Sequence, residues 1–376
     1  MNRAHLAVAA LGVVAGSAAA QSNVTLYGLV DASLRHDSHY NAAGGRTALV
    51  SGMANTSRWG IRASEDLGQG RTAYIVLESG LNPDTGMQTE AASLFDRRAG
   101  VGLTGGWGRV EIGRGGTFGW DYTPVYDPLG GALATPTSAS HSTGKAALLV
   151  NGFLFLTNNP YTGTKLRDNN IKYTYAGQNG WFAGLDYSLG EVAGDRSKRA
   201  GWQGVLGYAK DAVSVVAAFD ELRDAADLKQ RVLLAGGNYT FASHWKATLG
   251  YAVQDADAGF APSSAAVTGA IANYSSVFGV HPGGKIRIAV TGEGLSYPVL
   301  PAMTLTGAVY GTRISGDGIP ANDYHSYVLM AKYALSKRTL LYSALDRQTA
   351  TVNGGLGTVS GGRGNHGVTL GMQTRF

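Results

Sequence analysis

The chain has 376 residues, a formal net charge of +5, 55 glycines, no cysteine and only 15% charged residues. Glycine at about twice its usual share and charge well below the usual quarter exclude an ordinary soluble domain, while the lack of any stretch of about 18 apolar residues beyond the N-terminus excludes helical membrane spans. Without cysteine there are no disulfide frameworks, thiolate metal sites or thiol nucleophiles, and a net charge this small for the length makes no case for a nucleic-acid partner.

Residues 1 to 20 set Asn2 and Arg3 before an apolar stretch from Leu6 to Ala15, followed by the small residues Ser17 to Ala20. That is the pattern of a cleavable secretory signal, so the mature chain is expected to span 21 to 376 as one domain whose net charge is one unit lower.

Beyond the signal the hydrophobic period is two, the period of a strand with one apolar face. Trp181, Ala183, Leu185, Tyr187 and Leu189 alternate with Gly184, Asp186 and Ser188; Trp245, Ala247, Leu249, Tyr251 and Val253 alternate with Lys246, Thr248 and Gly250; Ile286, Ile288 and Val290 alternate with Lys285, Arg287 and Thr291. In chain order the expected strands lie near 24–35, 55–65, 71–81, 93–104, 107–114, 167–176, 181–190, 200–210, 212–221, 229–241, 245–255, 284–297, 302–313, 324–334, 339–349 and 366–376. The count is sixteen.

Three features favour a transmembrane barrel over a soluble sandwich. These strands are about ten residues long, enough for a tilted strand to cross a bilayer. Tight connections at Glu65 to Gly70, Thr104 to Gly106, Lys210-Asp211 and Leu335 to Arg338 alternate with long ones at 36–54, 115–166, 256–283 and 350–365, as short periplasmic turns alternate with long external loops. The chain also ends on an alternating strand, Val368, Leu370 and Met372 on one face, closing with Phe376. The fold class is therefore all-β, a 16-stranded antiparallel transmembrane β-barrel, since closure removes edges that hydrocarbon cannot satisfy. Sixteen strands leave an aqueous bore, and the connection from 115 to 166, the longest of the connections, is expected to fold into it.

Other motifs carry less. Gly279 to Lys285 has the spacing of a phosphate loop, but Ile286 replaces the metal-binding hydroxyl and a strand follows. His36 and His39 lack a third ligand, Asp255-Ala-Asp257-Ala-Gly259 lacks the distal Glu of a calcium loop, and no motif gathers Ser, His and Asp. No metal, cofactor or enzymatic activity is expected. Tyr27, Trp59, Trp107 and Trp245 suit interface girdles, and the apolar run 146–156 has no assigned role.

The mature start Gln21-Ser-Asn-Val-Thr-Leu-Tyr-Gly-Leu-Val-Asp31, the segment Thr56-Ser-Arg-Trp-Gly-Ile-Arg-Ala-Ser-Glu-Asp-Leu-Gly68, Gly113-Arg114, Asp168-Asn-Asn-Ile-Lys-Tyr173, Leu335-Ser-Lys-Arg-Thr339 and the terminal Phe376 resemble the general porins of Gram-negative β-proteobacteria. The resemblance spans the mature chain. It implies a homotrimeric outer-membrane porin whose third external loop enters the lumen opposite an arginine cluster, with outer-membrane lipid and lipopolysaccharide outside and small anions and hydrophilic solutes within. Thr374 departs from the family, in which many members carry an aromatic residue or His at that place.

Arg58 and Arg62 are four apart in one strand and share a face opposite Trp59, Ile61 and Ala63, so both are expected to point into the lumen. The family pattern adds Arg114 and Arg167, with Arg98 on the neighbouring strand; strict alternation places Arg114 with Ile112 and Arg167 with Ile171, so a bulge or a strand end is required. Asp121 and Asp127 are the carboxylates expected near the constriction, since no Asp or Glu lies between Pro128 and Leu166. The narrow zone is thus expected to be net positive and to prefer anions. The other reading of these arginines is that they pair with Glu78, Asp121 and Asp127 and stiffen the barrel. For the chain as a whole two rivals remain, a barrel with a plugged lumen serving as adhesin or structural protein, and an outer-membrane barrel enzyme.

Overall fold

The computed structural model describes residues 23–41, 44–90, 93–133, 151, 153, 165–261, 284–317, 319–351 and 364–376. The signal segment, most of the apolar run 146–156 and the outer parts of the loops at 262–283 and 352–363 lie outside them. Sixteen antiparallel strands form one closed sheet. β1 is Asn23–Asn41; β2 runs in two pieces, Gly44–Ser51 and Arg58–Gly68; β3 is Arg71–Asn82, β4 Arg98–Gly105, β5 Gly108–Gly116, β6 Leu166–Ala176, β7 Trp181–Ser188 and β8 Gly201–Lys210. Then follow β9 Val213–Arg223, β10 Lys229–Thr240, β11 Lys246–Ala256, β12 Ile286–Leu300, β13 Met303–Gly316, β14 Ile319–Ala334, β15 Thr339–Thr351 and β16 Asn365–Arg375. Each strand pairs with the next, and β16 pairs with β1 from Leu29↔Arg375 to Asp37↔Gly367.

The last residue completes the ring. Phe376 N–H donates to Gly28 O at 3.1 Å, Gly28 N–H donates back to Phe376 O at 3.2 Å, and the Phe376 ring lies where a side chain on Gly28 would stand. The segment 36–54, expected as a loop, is instead mostly the continuation of β1 and the first piece of β2, paired from Ala32↔Ser51 to Asn41↔Gly44. The break between the two pieces of β2, residues 52–57, is held from inside, because Ser57 and Asn55 bond Asp31, which also accepts from Tyr342 Oη at 2.6 Å.

Alternation divides the residues as a bilayer requires. Leu26, Leu34, Leu49, Ile75, Val101, Ile112, Leu185, Leu206, Leu249, Leu295, Leu329, Leu345 and Leu370 are exposed on the outer face, whereas Asp31, Ser33, Arg35, Asp37, Glu78, Glu111, Gln203 and Thr369 are buried on the inner one. Trp245 stacks on Tyr297 at 4.7 Å and Trp107 is exposed at a turn, as girdle residues are, but Tyr27 turns inward. β12 inverts the usual pattern: Ile288 and Val290 are buried inside the barrel, together with Leu234, Ala252, Tyr310, Ile314 and Met330. That inner wall is apolar because the connection between β5 and β6 packs on it.

One outer position breaks the rule. Glu293 is exposed between its register partners Leu249 and Val309, both outward and exposed, and makes no ion pair among the described residues. A carboxylate facing hydrocarbon destabilises the fold, less than a lysine or arginine would. Glu293→Leu is therefore expected to raise the unfolding free energy in phospholipid vesicles by about 1 kcal/mol, read from a denaturant titration.

Candidate functional site

The inner face of β2 to β5 is built around two buried carboxylates. Glu78 on β3 accepts from Arg97 Nε at 2.7 Å and from Tyr27 Oη at 3.0 Å, and lies 3.4 Å from Arg58 Nε. Glu111 on β5 accepts from Arg98 Nη2 at 2.8 and 2.9 Å, from Tyr74 Oη at 3.0 Å and from Arg109. Arg62 lies 4.1 Å above the Tyr27 ring and Arg109 lies 4.4 Å above that of Tyr74. Five guanidinium groups therefore face two carboxylates, and Arg62 forms no ion pair among the described residues. Burial of both glutamates is sustainable because each is ringed by charge-assisted donors.

Facing this wall is the chain that leaves β5. Thr117 caps a short helix, α1 (Phe118–Asp121), and α2 (Thr123–Tyr126) follows. Both turns are seated on the inner wall of β7 to β13 through backbone and side-chain contacts. Phe118 N–H donates to Gln203 Oε1 at 2.9 Å, and Asn238 Nδ2 donates to Val125 O at 2.9 Å. Gly236, Gly250 and Gly292 are register neighbours on β10, β11 and β12 and together make a groove. A Cβ on Gly236 would meet Tyr126 at 2.6 Å, one on Gly250 would meet Phe153 at 2.7 Å, and one on Gly292 would meet Phe153 at 2.4 Å. Glycine is needed there for the close approach of the aromatic rings.

Asp127 pins the turn. It is buried and accepts from Tyr310 Oη at 2.6 Å, Gly131 N–H at 2.7 Å, Asn151 Nδ2 at 2.8 Å and Leu129 N–H at 3.2 Å. Burial pushes its carboxyl above the usual carboxylate range, against those hydrogen bonds. Expected near the constriction as a carboxylate, it is covered and committed to holding the loop. Asp121 is more open but bound to Lys172 Nζ at 2.6 Å; Lys172 also donates to Gly116 O at 2.6 Å and lies 4.5 Å over the Phe118 ring. Lys165 sits 4.5 Å over Trp120.

The remaining expected residues separate. Arg167 is buried on the inner face and paired with Asp220, because a register shift between Gly113 and Gly115 of β5, opposite Asn169 at φ 57°, reverses the parity it would inherit from Ile171. Arg114 is different. It stays opposite Ala99, in the parity of Ile112 and Val101, and is tied to Asp96 O at 2.6 Å and to the exposed carboxylate of Asp168. The structure does not bring it to Arg58, Arg62 and Arg98. Sequence reading missed Arg97, Arg109, Glu111 and Lys172; Arg109 and Glu111 were findable, since they share one face two residues apart.

A family model described as Gram-negative porin matches residues 7–353. The chain belongs to this porin family. Its relatives are channel proteins rather than enzymes and reside in the outer membrane. An outer membrane porin protein of Bordetella pertussis is 28% identical over 381 residues, covering 91% of this chain and 93% of the relative. Outer membrane porin protein 32 of Delftia acidovorans is 39% identical over 114 residues, 30% of this chain and 32% of that one. Among solved structures, an anion-selective porin from Comamonas acidovorans superposes with a TM-score of 0.70 at 23% identity, covering 95% of this chain and 100% of that one. A loop-deleted OmpT of Vibrio cholerae gives 0.67 at 14%, covering 94% and 99%. The porin fold is common to them.

α1 and α2 are seated inside the barrel. Asp127→Ala leaves Tyr310 Oη, Asn151 Nδ2 and two backbone N–H groups without their acceptor, a loss of about 1 to 3 kcal/mol for the buried group, and Gly250→Leu fills the groove under Tyr126 and Phe153. Both variants are expected to conduct more per channel than the parent, with noisier open levels in planar bilayers, while Asp127→Asn stays closer to it.

Proposed function

We propose that the mature chain, from Gln21, is a homotrimeric outer-membrane porin that forms a water-filled channel for passive diffusion of small hydrophilic solutes and ions and prefers anions. The observation that carries the preference is the excess of five arginines, Arg58, Arg62, Arg97, Arg98 and Arg109, over two glutamates on one inner wall, which Lys172, the register partner of Glu111 and itself bound to Asp121, extends onto β6. Positive charge on a low-dielectric wall concentrates anions in the narrow zone, and guanidinium edges replace part of an anion's hydration without a single deep well. The anion selectivity stated for the porin of Comamonas acidovorans accords with this reading. Outer-membrane lipid and lipopolysaccharide are the surroundings of the apolar outer band. A plugged adhesin is the weaker reading, because α1 and α2 rest on β7 to β13 and none of their hydrogen bonds reaches the Arg62 guanidinium.

Reversal potentials across planar bilayers under a potassium chloride gradient test the preference. The parent is expected to reverse on the chloride side; replacing Arg62 by Gln should lower the anion-to-cation permeability ratio roughly fivefold if the lost charge is worth about 1 kcal/mol near a passing ion in water. A cation-selective potential from the parent refutes the preference, and absence of conductance refutes the channel. Trimerisation should give a heat-modifiable band near three times the monomer mass on mild electrophoresis; a lone monomer band in gentle detergent counts against it.

A further inference from the structure

The end of the barrel bearing the short turns carries an unusual set of inward charges. On β2, Arg62 keeps the parity of Arg58, one turn-ward step below the constriction; on β5, Arg109 keeps that of Glu111; on β11, Lys246 keeps that of Thr248 and Gly250; on β14, Lys332 keeps that of Met330 and Val328; and on β16, Arg375 keeps that of Gln373. The named partners of these parities, Thr248, Met330, Val328 and Gln373, are buried inside the barrel. Lys332 lies within electrostatic range of Asp127 of the inner loop, of Asp31 on β1 and of Lys246, and Arg375 within that of Arg58. Arg62, Lys246, Lys332 and Arg375 form no ion pair among the described residues, and Arg109 shares Glu111 with Arg98.

The carboxylates of this end are fewer than its cations. Glu65 is on the outer parity of β2 and Asp211 is at the tip of its turn; the inward-parity acids are Asp66, at the very rim, where it accepts from Gly68 N–H, and Glu111, which is shared by Arg98 and Arg109. All the short turns are among the described residues. The opposite end is of another kind: Asp37 and Asp346 there enclose Arg35, and Asp220 holds Arg167. Five cations spread around one wet vestibule, four of them unpaired, cannot all be served by a monovalent ion, whereas an extended oxyanion can span several.

We propose that this periplasmic vestibule is a binding site for multivalent oxyanions, the oligophosphate and polycarboxylate class, which enter from the periplasmic side and block the channel from there. The inference rests on the channel reading, and it adds a side and a ligand class to it. Lys246 on β11 and Lys332 on β14, on other parts of the ring from Arg62 on β2, are the residues that would make the site multidentate. A multivalent anion arriving from the external side meets the narrow zone first and reaches the vestibule only by passing it.

The test uses the full mature protein in planar bilayers with sodium tripolyphosphate as the probe. Orientation is read from Ser243→Cys, the chain's one thiol, modified by an impermeant reagent from a single compartment. Half-block is expected at a concentration at least tenfold lower when tripolyphosphate is added on the compartment where Cys is modified, and the block is expected to weaken as salt rises. The double variant Lys246→Gln/Lys332→Gln should lose that sidedness while keeping the heat-modifiable mobility of the folded barrel. Equal block from both sides, or a double variant with the parent's sidedness, overturns the proposal. The potassium chloride reversal potential is independent of this outcome: a chloride-selective channel blocked equally from both sides refutes the vestibule site alone, and a cation-selective one refutes the channel's anion preference.

Discussion

A closed ring of backbone hydrogen bonds is the constraint from which the rest follows. In hydrocarbon an unpaired N–H or C=O has no water to turn to, so the sheet must end where it begins. Here the ring is completed by β16 against β1 and by the reciprocal bonds of Phe376 and Gly28. With sixteen strands the ring is too wide for its own side chains to fill, and the interior becomes a surface with its own chemistry. Leucine and valine are then sent outward and charge inward by one and the same alternation.

That interior is divided into two unlike halves. Along β2 to β5 it is ionic, and buried Glu78 and Glu111 are each surrounded by two arginines and a tyrosine hydroxyl. From β8 to β14 it is apolar, and it would be as unstable in water as any exposed core without a cover. The turn from Thr117 to Leu133 supplies the cover, with Tyr126 and Phe153 over a glycine groove and Asp127 bonded across to Tyr310. The loop is therefore an element of the core that happens to stand inside the barrel, held there by the burial of that wall.

The ionic wall depends on the same bargain between strand regularity and local irregularity. Arg62 and Arg109 lie against tyrosine rings, and Arg109 also donates to the Tyr74 hydroxyl and to Glu111. Arg167 faces inward only because the register shifts at Gly113 and Gly115, while Arg114, beside that same shift, keeps the outer parity. A single irregular residue pair thus decides which of two arginines meets the lumen.

The chain's own order of residues determined the barrel, its sixteen strands, its closing aromatic residue and the inward parity of Arg58 and Arg62, because period-two alternation and turn length are local properties. It could not determine that β12 buries Ile288 and Val290 inward, that Asp127 is a buried pin, that Tyr27 leaves the girdle for Glu78, or that Arg97, Arg109 and Glu111 join the wall. Alternation says that two faces differ and is silent on which one another segment will cover. That choice belongs to contacts between residues far apart in the chain, such as Asp127 with Tyr310 and Phe153 with Gly292, which exist only after the sheet has curled and the loop has found the wall it must shield from water.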